Sequence, residues 1–171
     1  MCVYSEGGRS MAQHLYSGLS YEQVVQKYAD AVLAVCMMHL GSPHDADDCF
    51  QNTFLKLYTD PPEFREEEHI KAWLLRVAIN ECKNFIRDNR RNVPLDSARD
   101  AAVFHSDDQR DISWALMRLE PDYREVLYLY YVERYKVREI GEILDKNPNT
   151  VKTMLSRGRK RLKKIYGGDD Q

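Results

Sequence analysis

The sequence predicts an all-α protein made of two small helical domains joined by a flexible linker. Apolar residues recur at helical spacing over most of the chain, and no strand-like alternation is sustained. Gly and Pro are few, 8 and 6 in 171 residues, so long helices can run uninterrupted. One stretch, Asn92 to Asp111, breaks the pattern with Pro94, several Asp and Ser, and only scattered apolar residues. A hydrophobic share of 43% with 18 aromatic residues is enough to build packed cores, which excludes wholesale disorder.

Residues 1–18 read as a polar tail, with Glu6 and Arg9 and without the apolar stretch of a signal peptide; Met11 is a second start. The first domain spans 19–91. Its first helix, Ser20 to Leu40, is buried through Val24, Tyr28, Val32 and Val35, and Gly41-Ser42-Pro43 stops it. A second helix runs from His44 to Tyr58 and is broken by Asp60-Pro61-Pro62. The third begins near Glu68 and continues towards Arg91 through Ile70, Trp73, Leu74, Val77, Ala78 and Phe85. After the linker, 92–111, the second domain spans 112–167, followed by a short tail, 168–171. Its helices are marked by Pro121 with Val126, Leu127 and Tyr130, by Val137, Ile140, Ile143 and Leu144, and by a final basic segment.

The formal net charge of -2 hides a segregation. Asp45, Asp47, Asp48, Asp60, Glu63, Glu66, Glu67 and Glu68 stand against only Lys56 and Arg65 in one stretch. From Lys146 to Lys164 there are eight basic residues and no acid. Two surfaces of opposite sign imply two different partners. No apolar run approaches the roughly 20 residues that span a bilayer, so no membrane insertion is expected. A cytoplasmic location follows, with Cys2, Cys36, Cys49 and Cys82 as reduced thiols.

The basic segment carries its own start signal. Asn147 is a good N-cap and Pro148 suits the first helical position. Val151, Met154, Leu155, Gly158, Leu162 and Ile165 then share one face, and Asn149, Lys152, Thr153, Ser156, Lys160 and Lys163 the other. A tight turn separates this helix from the one before it, the arrangement of a helix-turn-helix. Gly141 sits where a side chain would push the two helices apart. In such a unit the first turns of the second helix reach base edges, and later cations meet phosphates. Asn149, Thr150, Lys152, Thr153, Ser156 and Arg157 are candidate readers, and Lys160, Lys163 and Lys164 supply backbone charge. The bland reading is a solvated basic face. A membrane-surface helix is disfavoured, because the apolar face has no Trp or Phe.

The segment LEPDYREVLYLYYVERYKVREIGEILDKNPNTVKTMLSRGRKRL, from Leu119, closely resembles region four of bacterial sigma factors of the sigma-70 family. DADDCFQNTFLKLY, Asp45 to Tyr58, resembles the polymerase-binding helix of their region two. HIKAWLLRVAINECKNFIRDNRR, His69 to Arg91, resembles the promoter-melting helix. Two regions joined by a short linker resemble the extracytoplasmic-function (ECF) group. The resemblance implies that the first lobe docks on core RNA polymerase through Asp47, Asp48, Gln51, Leu55 and Tyr58. It implies that Lys71, Arg76, Asn80, Lys83 and Asn84 engage the minus-ten element, with a flipped base held by the loop around Phe64 to His69. The basic helix would recognise the minus-thirty-five element through Asn149, Thr150, Lys152, Thr153, Ser156, Arg157 and Lys160. Promoter DNA, core polymerase and an anti-sigma factor are the partners it implies, with no cofactor. Residue chemistry agrees: an exposed Leu and Tyr among carboxylates suit a docked partner, and cations with amides suit melted DNA. Trp73 is expected in the core rather than as a stacking platform.

Some positions depart from the family pattern. Asn52 stands where an acid commonly follows the glutamine. Lys136 replaces a small hydroxyl cap, a loss of roughly 1 kcal/mol. Asp145 and Lys146 replace a Gly and an aliphatic residue in the turn, and Met154 replaces a cation. These changes bear on the minus-thirty-five preference rather than on the fold.

Rival readings are a response-regulator-type helix-turn-helix protein, which shares the Thr150-Val151-Lys152 ending, and a non-DNA adaptor. A receiver needs alternating strands and helices with a phosphorylatable Asp, and the first lobe shows none. Cys36, His39, His44 and Cys49 could in principle hold zinc, but their spacing matches no compact signature. His14, His69 and His105 lack a partner for acid–base work. No phosphate loop or nucleophile motif is present, which argues against an enzyme.

Overall fold

A computed structural model describes residues 17–89 and 115–167. The expectations for both tails and for the linker fall outside these residues. Among the described residues there are six helices and no strand: α1 (Tyr21–Leu40), α2 (Pro43–Thr59), α3 (Glu67–Asn89), α4 (Pro121–Tyr131), α5 (Val137–Leu144) and α6 (Pro148–Gly167). A single further turn at 115–117 precedes α4.

Each boundary has a local cause. Ser20 and Gln23 cap α1 reciprocally, the Ser20 hydroxyl accepting from the Gln23 N–H at 3.3 Å and the Gln23 amide accepting from the Ser20 N–H at 2.8 Å. Gly41, at φ 64, adopts the left-handed conformation that ends α1 and donates its N–H to Met37. That reversal leaves Ser42 free to cap α2 and puts Pro43 in its first turn.

Helices α1, α2 and α3 pack around one core. Val24, Tyr28, Val32 and Val35 are buried as expected, and on α2 the core is formed by Ala46, Thr53, Phe54 and Leu57. Phe50 is only half-buried, tilted against Phe54 at 4.9 Å between ring centres. On α3, Ile70, Leu74 and Ala78 are joined inside by Leu75, Ile79 and Cys82, while Trp73, Val77 and Phe85 are half-buried. The reason is that α3 has neighbours on more than one side, packing against α1 and α2 and also against α5. Trp73 accordingly sits at the rim, edge-on to Phe64 at 5.8 Å. Cys36, Cys49 and Cys82, one from each helix, are buried free thiols. Cys82 hydrogen-bonds to the other two, and this with burial pushes its thiol pKa up.

In the second lobe α4, α5 and α6 close over Val126, Leu127, Leu129, Ile140, Ile143, Leu144, Val151 and Leu155. Burying each large side chain of this kind stabilises by roughly 1.5–3 kcal/mol. The lobes also touch, chiefly through α3 against α5 and through polar side chains of α4.

Candidate nucleic-acid interface

The α5–turn–α6 unit is built on two exacting backbone positions. Asp145 lies in the left-handed region (φ 53, ψ 48), and the Lys146 N–H donates to the Gly141 carbonyl at 2.9 Å. A Cβ added at Gly141 would stand 2.7 Å from the Lys146 carbonyl oxygen, so glycine is required because the turn itself folds back onto α5. Sequence spacing attributed this glycine to a helix crossing; the obstruction is the turn's own backbone. Asn147 then caps α6, its side-chain oxygen accepting the Asn149 N–H at 2.9 Å. At the start of α5, Lys136 supplies no side-chain cap; the Glu139 carboxylate accepts the Lys136 N–H at 2.6 Å instead, recovering part of the loss.

This frame divides α6 into two faces. Val151, Leu155 and Gly158 are buried and Met154, Leu162 and Ile165 half-buried. Asn149, Thr150, Lys152, Thr153, Ser156, Arg157 and Lys160 are all exposed. Two arginines of the basic run turn back on α4. Arg159 lies over the Tyr130 ring and donates to the Tyr131 hydroxyl at 2.8 Å. Arg161 lies 4.5 Å from the Tyr123 ring centre and pairs with Glu120. Both arginines flank the buried face and are held against α4, while the candidate readers remain exposed.

On α2, Asp47, Asp48, Gln51, Leu55 and Tyr58 are all exposed, with Leu55 and Tyr58 more than half so, at 56% and 54%. Gln51 donates to Asp47 at 2.7 Å, and Tyr58 stands edge-on to Tyr21 at 5.4 Å. The fold brings the five onto one surface. An exposed Leu–Tyr pair edged by carboxylates is the chemistry of an interface with an apolar centre and a polar rim.

On α3, Arg76, Asn80, Lys83 and Asn84 are exposed and Lys71 is half-buried. Two of these cations already have partners from the other lobe. Lys71 pairs with Glu133 at 2.5 Å, and Lys83 with Glu125 at 2.9 Å.

Around that second pair lies a group that the sequence reading missed. Glu125 is 1% exposed, and His39 is packed against it with Nε2 3.8 Å from its carboxylate. Burial first, then the Lys83 and Arg124 cations, push the His39 pKa down to about 3, so the imidazole is neutral. Burial raises the Glu125 pKa, with Lys83 pulling the other way. Arg124 donates to Met38 at 2.5 Å across the lobes, and to Leu116, Met117 and Leu119 within its own lobe. Its guanidinium thus sits on the last carbonyls of α1 and of the 115–117 turn, where helix dipoles favour a cation. A signal was available: Glu125 shares a stripe with Tyr128, Leu129 and Val132, a charge where an apolar residue is expected.

The four residues weighed for zinc do not converge. His39 faces Glu125, whereas His44 is exposed beside Asp45 and Asp48. Among the described residues, no group of three or more ligating side chains could hold a metal ion. No described helix is long and apolar enough to cross a membrane.

A three-helix lobe with an acidic–apolar docking face, followed by a helix-turn-helix with a basic edge, defines a DNA-binding protein that works alongside a protein partner. Comparison with known families specifies the class. Residues 24–92 match sigma-70 region 2, and residues 109–162 match sigma-70 region 4. The ECF RNA polymerase sigma factor SigW of Bacillus subtilis is 28% identical over 164 residues, covering 85% of this chain and 88% of that protein. The sigma factor CarQ of Myxococcus xanthus is 26% identical, covering 86% and 90%. Among solved structures, the sigma factor RpoE of Bartonella quintana, crystallised with the anti-sigma factor NepR, superposes with a TM-score of 0.72 at 26% identity, over 87% of this chain and 98% of that one. CnrH, solved with the cytosolic domain of CnrY, shares the fold, with a TM-score of 0.62, 23% identity and coverage of 88% and 89%.

The chain belongs to the sigma-70 family, in its ECF group. It is an RNA polymerase sigma factor that directs transcription initiation, binding core polymerase and promoter DNA. The match of the first lobe to region 2 removes the response-regulator alternative, which needed a receiver in that place.

Proposed function

We propose that the two recognition tasks are divided among the residues as follows. Asn149, Thr150, Lys152, Thr153, Ser156 and Arg157 read the minus-thirty-five element in the major groove, and Lys160 meets backbone phosphate. Lys71, Arg76, Asn80, Lys83 and Asn84 engage the minus-ten element. Asp47, Asp48, Gln51, Leu55 and Tyr58 dock on core polymerase. In this division residues 19–91 form region 2, 92–111 the linker and 112–167 region 4. The protein acts in the cytoplasm, carries out no catalytic step of its own, and is restrained by an anti-sigma factor, as RpoE and CnrH are accompanied by NepR and CnrY in their crystals.

The observation that carries this reading is the separation of faces on α6. All seven proposed contacts are exposed, while the cations that would otherwise compete, Arg159 and Arg161, are stacked on tyrosines of α4. Run-off transcription with core polymerase and a promoter library tests it. Lys160→Ala should weaken binding to all sequences alike and lower the salt dependence by about one phosphate contact, whereas Lys152→Ala should change the preferred base. Equal losses on every sequence for both variants would end this division of labour.

A further inference from the structure

The two arginines that α6 turns towards α4 are held differently, and the difference points to a ligand. Arg161 lies over the Tyr123 ring and is paired with Glu120, so its charge is answered within the chain. Arg159 has no carboxylate partner among the described residues. Its guanidinium carbon stands 5.4 Å from the centre of the Tyr130 ring and 5.7 Å from that of Tyr131, and its Nε donates to the Tyr131 hydroxyl at 2.8 Å. The two rings meet edge to face at 5.0 Å, so each restrains the other.

Core packing does not account for this arrangement. Tyr131 remains 42% exposed and Arg159 is exposed, so neither fills the interior. What the contact does is fix a cation at the surface. An arginine loses side-chain entropy when it grips an anion; ring contacts and the Nε bond take that loss in the free chain. A guanidinium carries five N–H donors in a rigid fork, and the Tyr131 hydroxyl accepts one of them. The donors on the two terminal nitrogens have no acceptor among the described residues. That edge matches the paired oxygens of a phosphodiester.

Position supplies the ligand. Arg159 follows Lys152 by two turns on the same stripe of α6, about 10 Å further along the axis at 1.5 Å per residue. In a helix-turn-helix the first turns of the second helix meet base edges, and later cations meet the sugar–phosphate backbone. A preset fork at that level therefore faces phosphate. On the other flank the Glu120 carboxylate already occupies Arg161, so the two flanks are not equivalent.

We propose that Arg159 is a phosphate-binding residue on one flank of α6, taking a phosphodiester of one strand at the border of the minus-thirty-five duplex, with Tyr131 as its positioning residue. The site rests on the assignment of α6 to that duplex made above. It adds a backbone contact built jointly by α4 and α6, and makes that contact one-sided.

The test uses holoenzyme assembled from core polymerase and the full chain. It is titrated onto a fluorescent promoter duplex chosen from the library, in which one minus-thirty-five phosphate at a time is replaced by an uncharged methylphosphonate. Among the replacements that weaken wild type, one or two neighbouring positions on a single strand should become neutral in Arg159→Ala. On the unmodified duplex that variant should bind roughly tenfold more weakly, with a slope of log K against log salt shallower by about 0.9. Arg161→Ala should keep the wild-type pattern of sensitive positions. If no phosphate effect disappears in Arg159→Ala, the proposal is overturned. A lower urea midpoint with an unchanged salt slope would overturn it too, since that is the behaviour of a strap between helices.

Tyr131→Phe keeps the ring and the charge beside it but removes the hydroxyl. It should weaken binding roughly threefold, leave the salt slope unchanged and blunt the methylphosphonate effect at the Arg159 position. Wild-type affinity in this variant would remove the positioning role. The underlying assignment fails in a different way: Lys152→Ala would leave base preference unchanged, and no minus-thirty-five phosphate would matter to the wild type. If Lys152→Ala shifts the preference while Arg159→Ala abolishes no phosphate effect, only the phosphate site falls.

Discussion

Gly141 and Asp145 show how much of the helix-turn-helix rests on single backbone positions. Gly141→Ala places a methyl group against the Lys146 carbonyl, a contact with backbone that cannot swing aside. We expect a loss of about 1–3 kcal/mol in urea denaturation of the full chain, with weaker duplex binding in proportion to the unfolded fraction. Asp145→Gly should act in the opposite sense. A non-glycine residue at φ 53 bears a left-handed penalty of roughly 1 kcal/mol, which glycine removes, so the urea midpoint should rise. A fall would mean that the Asp145 side chain contributes more than its backbone costs.

His39 sets a pH dependence at the same scale. Its pKa in the folded protein is about 3, well below the ordinary 6.5, so unfolding allows it to take up a proton that the native state refuses. The corresponding stability is present above pH 6.5 and is lost as pH falls from there towards 3, with a slope approaching about 1.4 kcal/mol per unit. The groups facing it are Lys83 from α3 and Arg124 and Glu125 from α4. Glu125, whose pKa is raised, works in the opposite direction, favouring the folded state as pH drops through its raised pKa towards 4.5. The loss beginning near pH 6.5 therefore belongs to the histidine. Urea midpoints at pH 7.5 and 5.5, both within reach of routine buffers, should differ less in His39→Gln than in the wild type; an unchanged difference would place the titrating group elsewhere.

At the scale of the element, α2 and α6 are opposite solutions to the same requirement of one face packed and one offered. Helix α2 offers Leu55 and Tyr58 among acids, and α6 offers amides, hydroxyls and cations. Leu55→Ala and Tyr58→Ala should each weaken core-polymerase binding by more than about 1 kcal/mol, the threshold for a central interface contact. Their exposure means that folding stability should change little in the same variants. Loss of stability without loss of polymerase affinity would show that these side chains serve the lobe rather than the partner. Helical periodicity made these faces legible, because core and offered positions fall on different stripes. It was less informative for α3. Trp73, Val77 and Phe85 read as core and are half-buried, since a helix packed on two sides has no single inner stripe.

For the molecule as a whole, the two lobes are tied by Lys71 to Glu133 and by Lys83 to Glu125. Glu133→Gln removes one charge of a pair whose acid is 6% exposed, so the urea midpoint of the full chain should fall. An unchanged midpoint would mean that the pair contributes nothing to folding.

Amphipathic spacing, the cap at Asn147 and the segregation of charge were enough to determine two helical lobes and the helix-turn-helix, and to propose the faces for polymerase and DNA. These are properties of residues close in sequence, where 3.6-residue periodicity and capping chemistry act directly. The pairing of Lys71 with Glu133 and of Lys83 with Glu125, and the neutral state of His39, were decided only by the tertiary structure. Each joins groups more than 40 residues apart, across a linker whose sequence does not dictate how the lobes meet. A lysine read alone announces its charge; whether that charge faces phosphate or a carboxylate of the same chain depends on how the lobes pack.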